Sequence, residues 1–289
     1  MKIYPVLIVL LIIVVCCEPT KEISWKTDNI PVRLVVDGLI TDELKKHTVT
    51  LTKTDDYFSN KEAEVVSNAI ITISDGNNIF NLEENPLGSG IYKTIDEVKG
   101  EVGKTYTLDI QLDNPLNDET HFTTSSVLNQ SIRADSMVSF LYDNPFTYDE
   151  NDTIILVIGI FGHEPEPEGN YYNIKYYRNG ELLNDTIDES SITNDQEYGI
   201  DGVDFMTFYI NENFIVDDTV KLEIQSISEE YYNFIRGVQK ISEGADPFGF
   251  SGPPANPVGN IEGGGALGFF VASSVTSISS LVTGKDNQE

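Results

Sequence analysis

Short runs of alternating apolar and polar residues, rich in β-branched types, recur from Pro31 to Ile110. Val32, Leu34 and Val36 alternate with Arg33 and Val35, and Val49 and Leu51 alternate with Thr48, Thr50 and Thr52. Ile70-Ile71-Thr72-Ile73 follows, and Tyr106, Leu108 and Ile110 share one face of a later run. A period of two buries one face of a strand and wets the other, so each run predicts a half-buried β-strand. Turn chemistry separates the runs at Asp37-Gly38, Asp75-Gly76-Asn77-Asn78, Leu87-Gly88-Ser89-Gly90 and Lys99-Gly100. Strands at this spacing predict an antiparallel sandwich over residues 31–127.

The segment from Asn114 to about Ser131 reads as a polar crossing into a second β-rich part over 128–283. Ile154 to Ile160 is almost continuously apolar, the pattern of a strand buried on both faces. Tyr172, Ile174 and Tyr176 share one side of the next run, which ends in a hairpin signal at Asn179-Gly180. Residues 184–204 read as an acidic loop, and Phe205 to Ile210 and Thr219 to Ile227 as further strands. One helix interrupts the pattern, at about 229–243. Ser228 suits its N-cap, Glu229 and Glu230 its first turn, and Gly244 its C′ position. Tyr231, Phe234, Ile235, Val238 and Ile241 form an apolar stripe at helical period, expected to dock on the second sheet. A Gly- and Pro-rich loop from Asp246 to Gly265 precedes a strand at Ala266 to Ser274, and the tail 284–289 reads as frayed. The fold class is therefore all-β, in two sandwich-like parts with one packed helix. The order of strands in the first part resembles prealbumin-like or immunoglobulin-like modules, a likeness of fold that carries no function.

Ahead of these elements, Lys2 precedes an apolar run of about fifteen residues that stops at Cys16-Cys17 and turns polar at Glu18. The run is short of the roughly 18 to 20 residues needed to span a bilayer and fits a secretory signal. Because it ends on cysteine, it reads as a lipoprotein signal over 1–17, with Cys17 as the lipidated residue and Cys16 as the alternative. A plain signal with incidental cysteines is the blander reading. Residues 18–30 then form a tether. Localisation is expected at the outer membrane, lipid-anchored and facing outward, with the periplasmic face as the other option.

With 47 acidic against 18 basic residues, the formal charge of −29 repels nucleic acid and excludes DNA binding as a function class. Both cysteines lie in the leader, so the mature chain would have no disulfide and would rest on its apolar core. No catalytic constellation stands out. His47, His121 and His163 are scattered and lack metal-ligand spacing. Gly263-Gly-Gly265-Ala-Leu-Gly268 matches a dinucleotide fingerprint literally but leads into a β pattern, where pyrophosphate binding needs a helix N-terminus. Packing beside a strand explains these glycines better. No cofactor is expected beyond Ca²⁺, for which Asp149, Glu150 and Asp152 are the candidates within wider acidic clusters near 143–152, 185–189 and 195–204. Aromatics set among Asn, Asp, Gly and Pro mark candidate contact surfaces: Tyr142, Phe146, Tyr148, Tyr198, Phe248 and Phe250, with Asn256 and Asn260 in the long loop.

The order of several fragments resembles a known family. The leader is followed by Val35-Val36-Asp37-Gly38-Leu39-Ile40-Thr41-Asp42, Asn68-Ala69 running into Asp75, Gly90-Ile91-Tyr92, and Gly103-Lys104-Thr105-Tyr106. Later come Ile224-Gln-Ser-Ile-Ser-Glu-Glu-Tyr231-Tyr232, then Pro254-Ala-Asn256-Pro257-Val-Gly259-Asn260-Ile261, then Gly265-Ala266-Leu267-Gly268-Phe269-Phe270. Together they are similar to a Bacteroidetes lipoprotein family catalogued as domain of unknown function 4249. The spacer Glu262-Gly263-Gly264 departs from its pattern by its glycine content. The resemblance implies a non-enzymatic accessory of a TonB-dependent outer-membrane barrel that helps capture a nutrient, and it supplies no catalytic residues. A surface adhesin or structural β-module, and a Ca²⁺-dependent glycan-binding or hydrolysing protein, are the alternatives.

Overall fold

The computed structural model describes residues 31–55, 61–143, 154–195, 205–242 and 256–284. The alternating runs of the first part become β1 (Leu34–Thr41), β2 (Thr48–Lys53), β3 (Ile70–Ser74), β4 (Ile79–Glu84), β5 (Ile91–Thr94), β6 (Thr105–Leu116) and β7 (Glu119–Val127). The second part contributes β8 (Arg133–Asp143), β9 (Ile154–His163), β10 (Tyr171–Arg178), β11 (Glu181–Leu182), β12 (Ser191–Asn194), β13 (Phe205–Ile210), β14 (Thr219–Ile227) and the helix α1 (Glu229–Ser242). β15 (Leu267–Ser273) and β16 (Val275–Leu281) complete the chain. The fold is all-β, and residues from Val32 onward form one compact unit.

The first sheet has eight strands in the order β15-β1-β2-β5-β4-β3-β6-β7. Its far edges meet, because the Ala272 N–H donates to Ser126 Oγ at 3.0 Å across β15 and β7. Alternate residues of all eight strands therefore converge on one core, from Leu34, Val36 and Ile40 through Tyr92, Tyr106 and Phe122 to Phe270 and Ala272. A flat sheet could not bring all eight inward faces together; curling and closing it also removes exposed edges.

β15 comes from the far end of the sequence, within the stretch assigned above to the second part, yet it pairs with β1. The pairing is parallel, from Val35 opposite Leu267 to Thr41 opposite Ser273. Three local features make room for it. Asp37-Gly38, expected as a turn, lies mid-strand in β1, because a side chain at Gly38 would press on the Phe270 ring opposite. Gly268 sits at φ 91°, and a Cβ there would overlap the Val36 carbonyl. Asn260 serves the other edge of β15: its Nδ2 donates to the Phe270 carbonyl at 2.8 Å, and its Oδ1 accepts the Phe270 N–H at 2.9 Å. The literal dinucleotide motif is thus strand packing. The expected polar crossing after Asn114 is likewise strand, since β6 and β7 form a hairpin through Asn117 and Asp118, both at positive φ. Its Thr- and Ser-rich sequence hid a single buried anchor, Phe122.

The second core lies between a three-stranded sheet (β13-β9-β8) and a five-stranded one (β11-β10-β14-β16, with β12 also on β10). Leu156, Ile158 and Ile160 from one face Tyr172, Ile174, Leu222 and Ile224 from the other. β9 is buried on both faces, as its apolar run predicts: Ile155 and Val157 on the other side are also covered. The helix starts where expected, with the Tyr231 N–H donating to Ser228 Oγ at 3.2 Å. It does not dock on the second sheet alone. Tyr232 and Ile235 are its buried residues, and Tyr231 and Phe234 pack on Phe269 of β15 with ring centroids 4.8 and 5.5 Å apart. A third core results, in which Ile227, Tyr171 and Ile192 of the second part meet Phe269, Val271 and Leu39 of the first.

Two predictions follow from this frame. Gly268→Ala, which must strain φ and press on Val36, should lower stability by about 2 to 5 kcal/mol in urea unfolding. Asn260→Ala, which orphans the two Phe270 backbone groups, should cost about 2 to 4 kcal/mol. Changes under about 0.5 kcal/mol, the size of ordinary surface substitutions, would show that β15 is not held as described. The second concerns Asp75, whose carboxylate accepts the Asn78 N–H at 2.7 Å, the Asn77 N–H at 2.9 Å and Lys104 Nζ at 3.0 Å. Chiefly through the Asn78 amide, these bonds hold its carboxyl well below the ordinary 3.8. Folding lowers this pKa, so the stabilisation is complete above the unfolded value and is lost as pH falls below it. The stability gap between wild type and Asp75→Ala should therefore narrow from about pH 6 to about pH 3 in urea midpoints; a gap independent of pH would refute the role of the charge.

Candidate functional site

In the second sandwich, one column of strand pairing is incomplete. β12 pairs with Tyr171–Ile174 of β10, and β11 pairs with Tyr177 and Arg178, which leaves Lys175 and Tyr176 without a strand on that edge, although β14 pairs with both on the other and the Leu183 N–H donates to the Tyr176 carbonyl at 3.0 Å. The buried Asn184 side chain fills the gap. Its Nδ2 donates to the Ile174 carbonyl at 2.8 Å, its Oδ1 accepts the Tyr176 N–H at 3.1 Å, and its own carbonyl accepts Lys175 Nζ at 3.0 Å. An amide completes the ladder but contributes no side chain to the space between the sheets.

That space is a cavity of about 360 Å³, opening beside β13. Its floor is core: Ile174 and Leu222 from one sheet, Phe208 and Ile210 from the other. Its rim is polar, formed by Ser191, Tyr176, Tyr209, Asn211 and Glu212. No basic side chain lines it among the described residues. Burial, reinforced by the Glu212 and Glu189 carboxylates, pushes the Tyr176 phenol up. An apolar floor under a few convergent polar groups, at the small end of ligand-pocket volumes, is the usual make-up of a binding site.

A second polar locus lies between the two parts. Asp37 projects from the outer face of β1, and Lys175 from the outer face of β10. Protein packed around Asp37, whose side chain still reaches solvent, pushes its carboxyl up, and burial pushes the Lys175 ammonium down, each toward its neutral form. The two are not ion-paired with each other, and Lys175 instead donates to the Asn184 carbonyl. The acidic loop after β9 is held by a carboxylate at the end of β12: Asp195 Oδ2 accepts the Gly169 and Asn170 N–H groups at 2.6 and 2.8 Å. The three histidines are spent separately. His47 bonds the Thr41 N–H and the Val98 carbonyl, His121 pairs with Asp109 at 2.6 Å, and His163 meets Asp135 and Arg133. No group of three or more His, Cys, Asp or Glu among the described residues is arranged to hold a metal ion.

Of the residues singled out in the sequence, Tyr142 ends β8 about half exposed, on the face of its sheet that points away from the cavity. Asn256 is exposed in the loop before β15, and Asn260 spends its amide on Phe270. The structure does not bring these three together with the cavity. Phe146, Tyr148, Tyr198, Phe248, Phe250, the calcium candidates Asp149, Glu150 and Asp152, and Cys16 and Cys17 lie outside the described residues. From sequence, Tyr176 shares one side of its run with Tyr172 and Ile174, Ser191 falls in the acidic loop of 184–204, and Asn211 and Glu212 carry no assignment. One signal was available: Asn211-Glu212-Asn213 directly follows the apolar strand end Ile210, which puts a carboxylate at the lip of a core.

No curated protein matches the chain. The family described as Domain of unknown function (DUF4249) matches residues 20–279, from ahead of β1 through most of β16. The chain therefore belongs to the DUF4249 family.

Proposed function

We propose that this protein is an outer-membrane lipoprotein, lipidated at Cys17, that acts without catalysis as the ligand-capture accessory of a TonB-dependent transporter. The observation that carries the reading is the leader, in which Lys2, an unbroken apolar run and Cys16-Cys17 precede a polar tether and an all-β body. A thiol placed where the apolar run ends is what lipid attachment requires, and a single anchored chain then holds its β-body at the membrane surface. The body suits presentation of a ligand. Its two sandwiches share a third core, so a cavity in one is held in fixed relation to the other. The chain's surplus of acidic residues keeps such a body soluble and off anionic lipid.

The test is a mild-detergent pull-down of the tagged full-length protein from its native membranes, beside Cys17→Ala. Wild type should label metabolically with palmitate and bring down one TonB-dependent barrel in stoichiometric amount. Cys17→Ala should lose the label and leave the membrane fraction. Recovery of lipidated protein with no barrel would sink the transport reading and favour a surface adhesin.

A further inference from the structure

The cavity at the open edge of the second sandwich discriminates by charge, and its lining says which charge. Four core side chains, Ile174, Leu222, Phe208 and Ile210, give an apolar floor on which an uncharged body can rest. The lip carries the Glu212 carboxylate, the Tyr176 phenol and the Ser191 hydroxyl, none of which hydrogen-bonds another described residue. An anion entering here would meet the Glu212 carboxylate and, among the described residues, no lining cation, and its desolvation would go uncompensated. A cation would meet that carboxylate together with the Tyr176 ring, whose face attracts an ammonium group.

We propose that this cavity binds an organic ammonium ion with a small apolar body, the apolar part resting on Ile174, Phe208 and Leu222 and the cationic head at Glu212 and Tyr176. The volume of about 360 Å³ admits one aromatic ring or short alkyl chain with its amine and excludes a polymer. The inference deepens the capture reading by naming the site and class of its ligand, and it rests on that reading only for its biological use.

The experiment uses the full-length lipidated protein in detergent with two probes matched in apolar body and opposite in charge, phenethylamine and 3-phenylpropionate. Binding is followed by saturation-transfer NMR and titration calorimetry. Phenethylamine should bind, 3-phenylpropionate should bind at least about tenfold more weakly, and Glu212→Gln should weaken the amine by about three- to fivefold, the size of one partly exposed ion pair. Glu212 is exposed, so this variant keeps the fold, and Ser191→Trp at the mouth should block the amine independently. The site is overturned if neither probe binds, if the acid binds as well as the amine, or if Glu212→Gln leaves amine affinity unchanged. These outcomes are separate from the barrel pull-down: failure here with the barrel still recovered removes the site and keeps the transport reading, and the converse keeps the site.

Discussion

The parallel pairing of β15 with β1 is the constraint on which the rest of the molecule depends. Parallel neighbours need a crossover, and here the crossover is nearly the whole protein, since β1 begins at Leu34 and β15 ends at Ser273. Both faces of β15 are buried. Phe270 and Ala272 point into the first core, while Phe269 and Val271 meet the helix and the second part. A strand so placed belongs to two cores at once, which is why removing it would open the first sheet and strip the helix of its partner. The cost falls on folding, because a sheet that waits for its last strand has many contacts between residues far apart in sequence, and such topologies form slowly.

Three segments cross between the parts, the linker at 128–132, the stretch from α1 to β15 and the step from β15 to β16, and side chains tie the first and last of them together. The Ser226 hydroxyl donates to the Asn129 carbonyl at 2.6 Å, and the Ser274 hydroxyl to the same carbonyl at 2.8 Å. The Ser274 N–H donates in turn to Ser226 Oγ at 3.2 Å, and the Val275 N–H to Asp42 Oδ1 at 2.8 Å. Crossing backbones present polar groups that no regular ladder can satisfy, and small hydroxyls supply partners without adding bulk. A single flexible linker would let two sandwiches swing. Two crossings, bonded to each other and backed by an aromatic core, act against that.

The features legible in sequence were those with a local cause. Period-two alternation located β1, β2, β3 and β6, the Ser228 cap and acidic first turn located the helix, and Asn179-Gly180 located a hairpin whose two central residues both have positive φ. What escaped was set by partners distant in the chain. Asp37-Gly38 reads as a turn because Gly is the commonest turn residue, and only Phe270, more than two hundred positions later, explains it as a gap for a ring. The Thr- and Ser-rich β7 looked like a crossing because its exposed positions face solvent and its one large anchor is Phe122. The cavity was the least legible feature, since it arises from a strand that is absent between β11 and β12, and composition carries no signal for a missing neighbour.

Asn260 and Asn184 solve the same problem with opposite consequences. Each presents its amide to a strand edge as if it were a further strand, accepting one N–H and donating to one carbonyl. At β15 the strand is already packed on both faces, so the amide seals an edge and nothing is left open. At β10 the inner face looks into a sandwich whose opposite wall is β13, and an amide in place of a strand omits the side chains that would have filled the space between. The backbone is satisfied, so the gap carries little penalty in hydrogen bonding, while Ile174, Leu222 and Phe208 are left lining a cavity instead of a closed core. In a chain this acidic, such an opening acquires a carboxylate at its lip with no lining cation among the described residues, and its preference for positive charge follows from that lining.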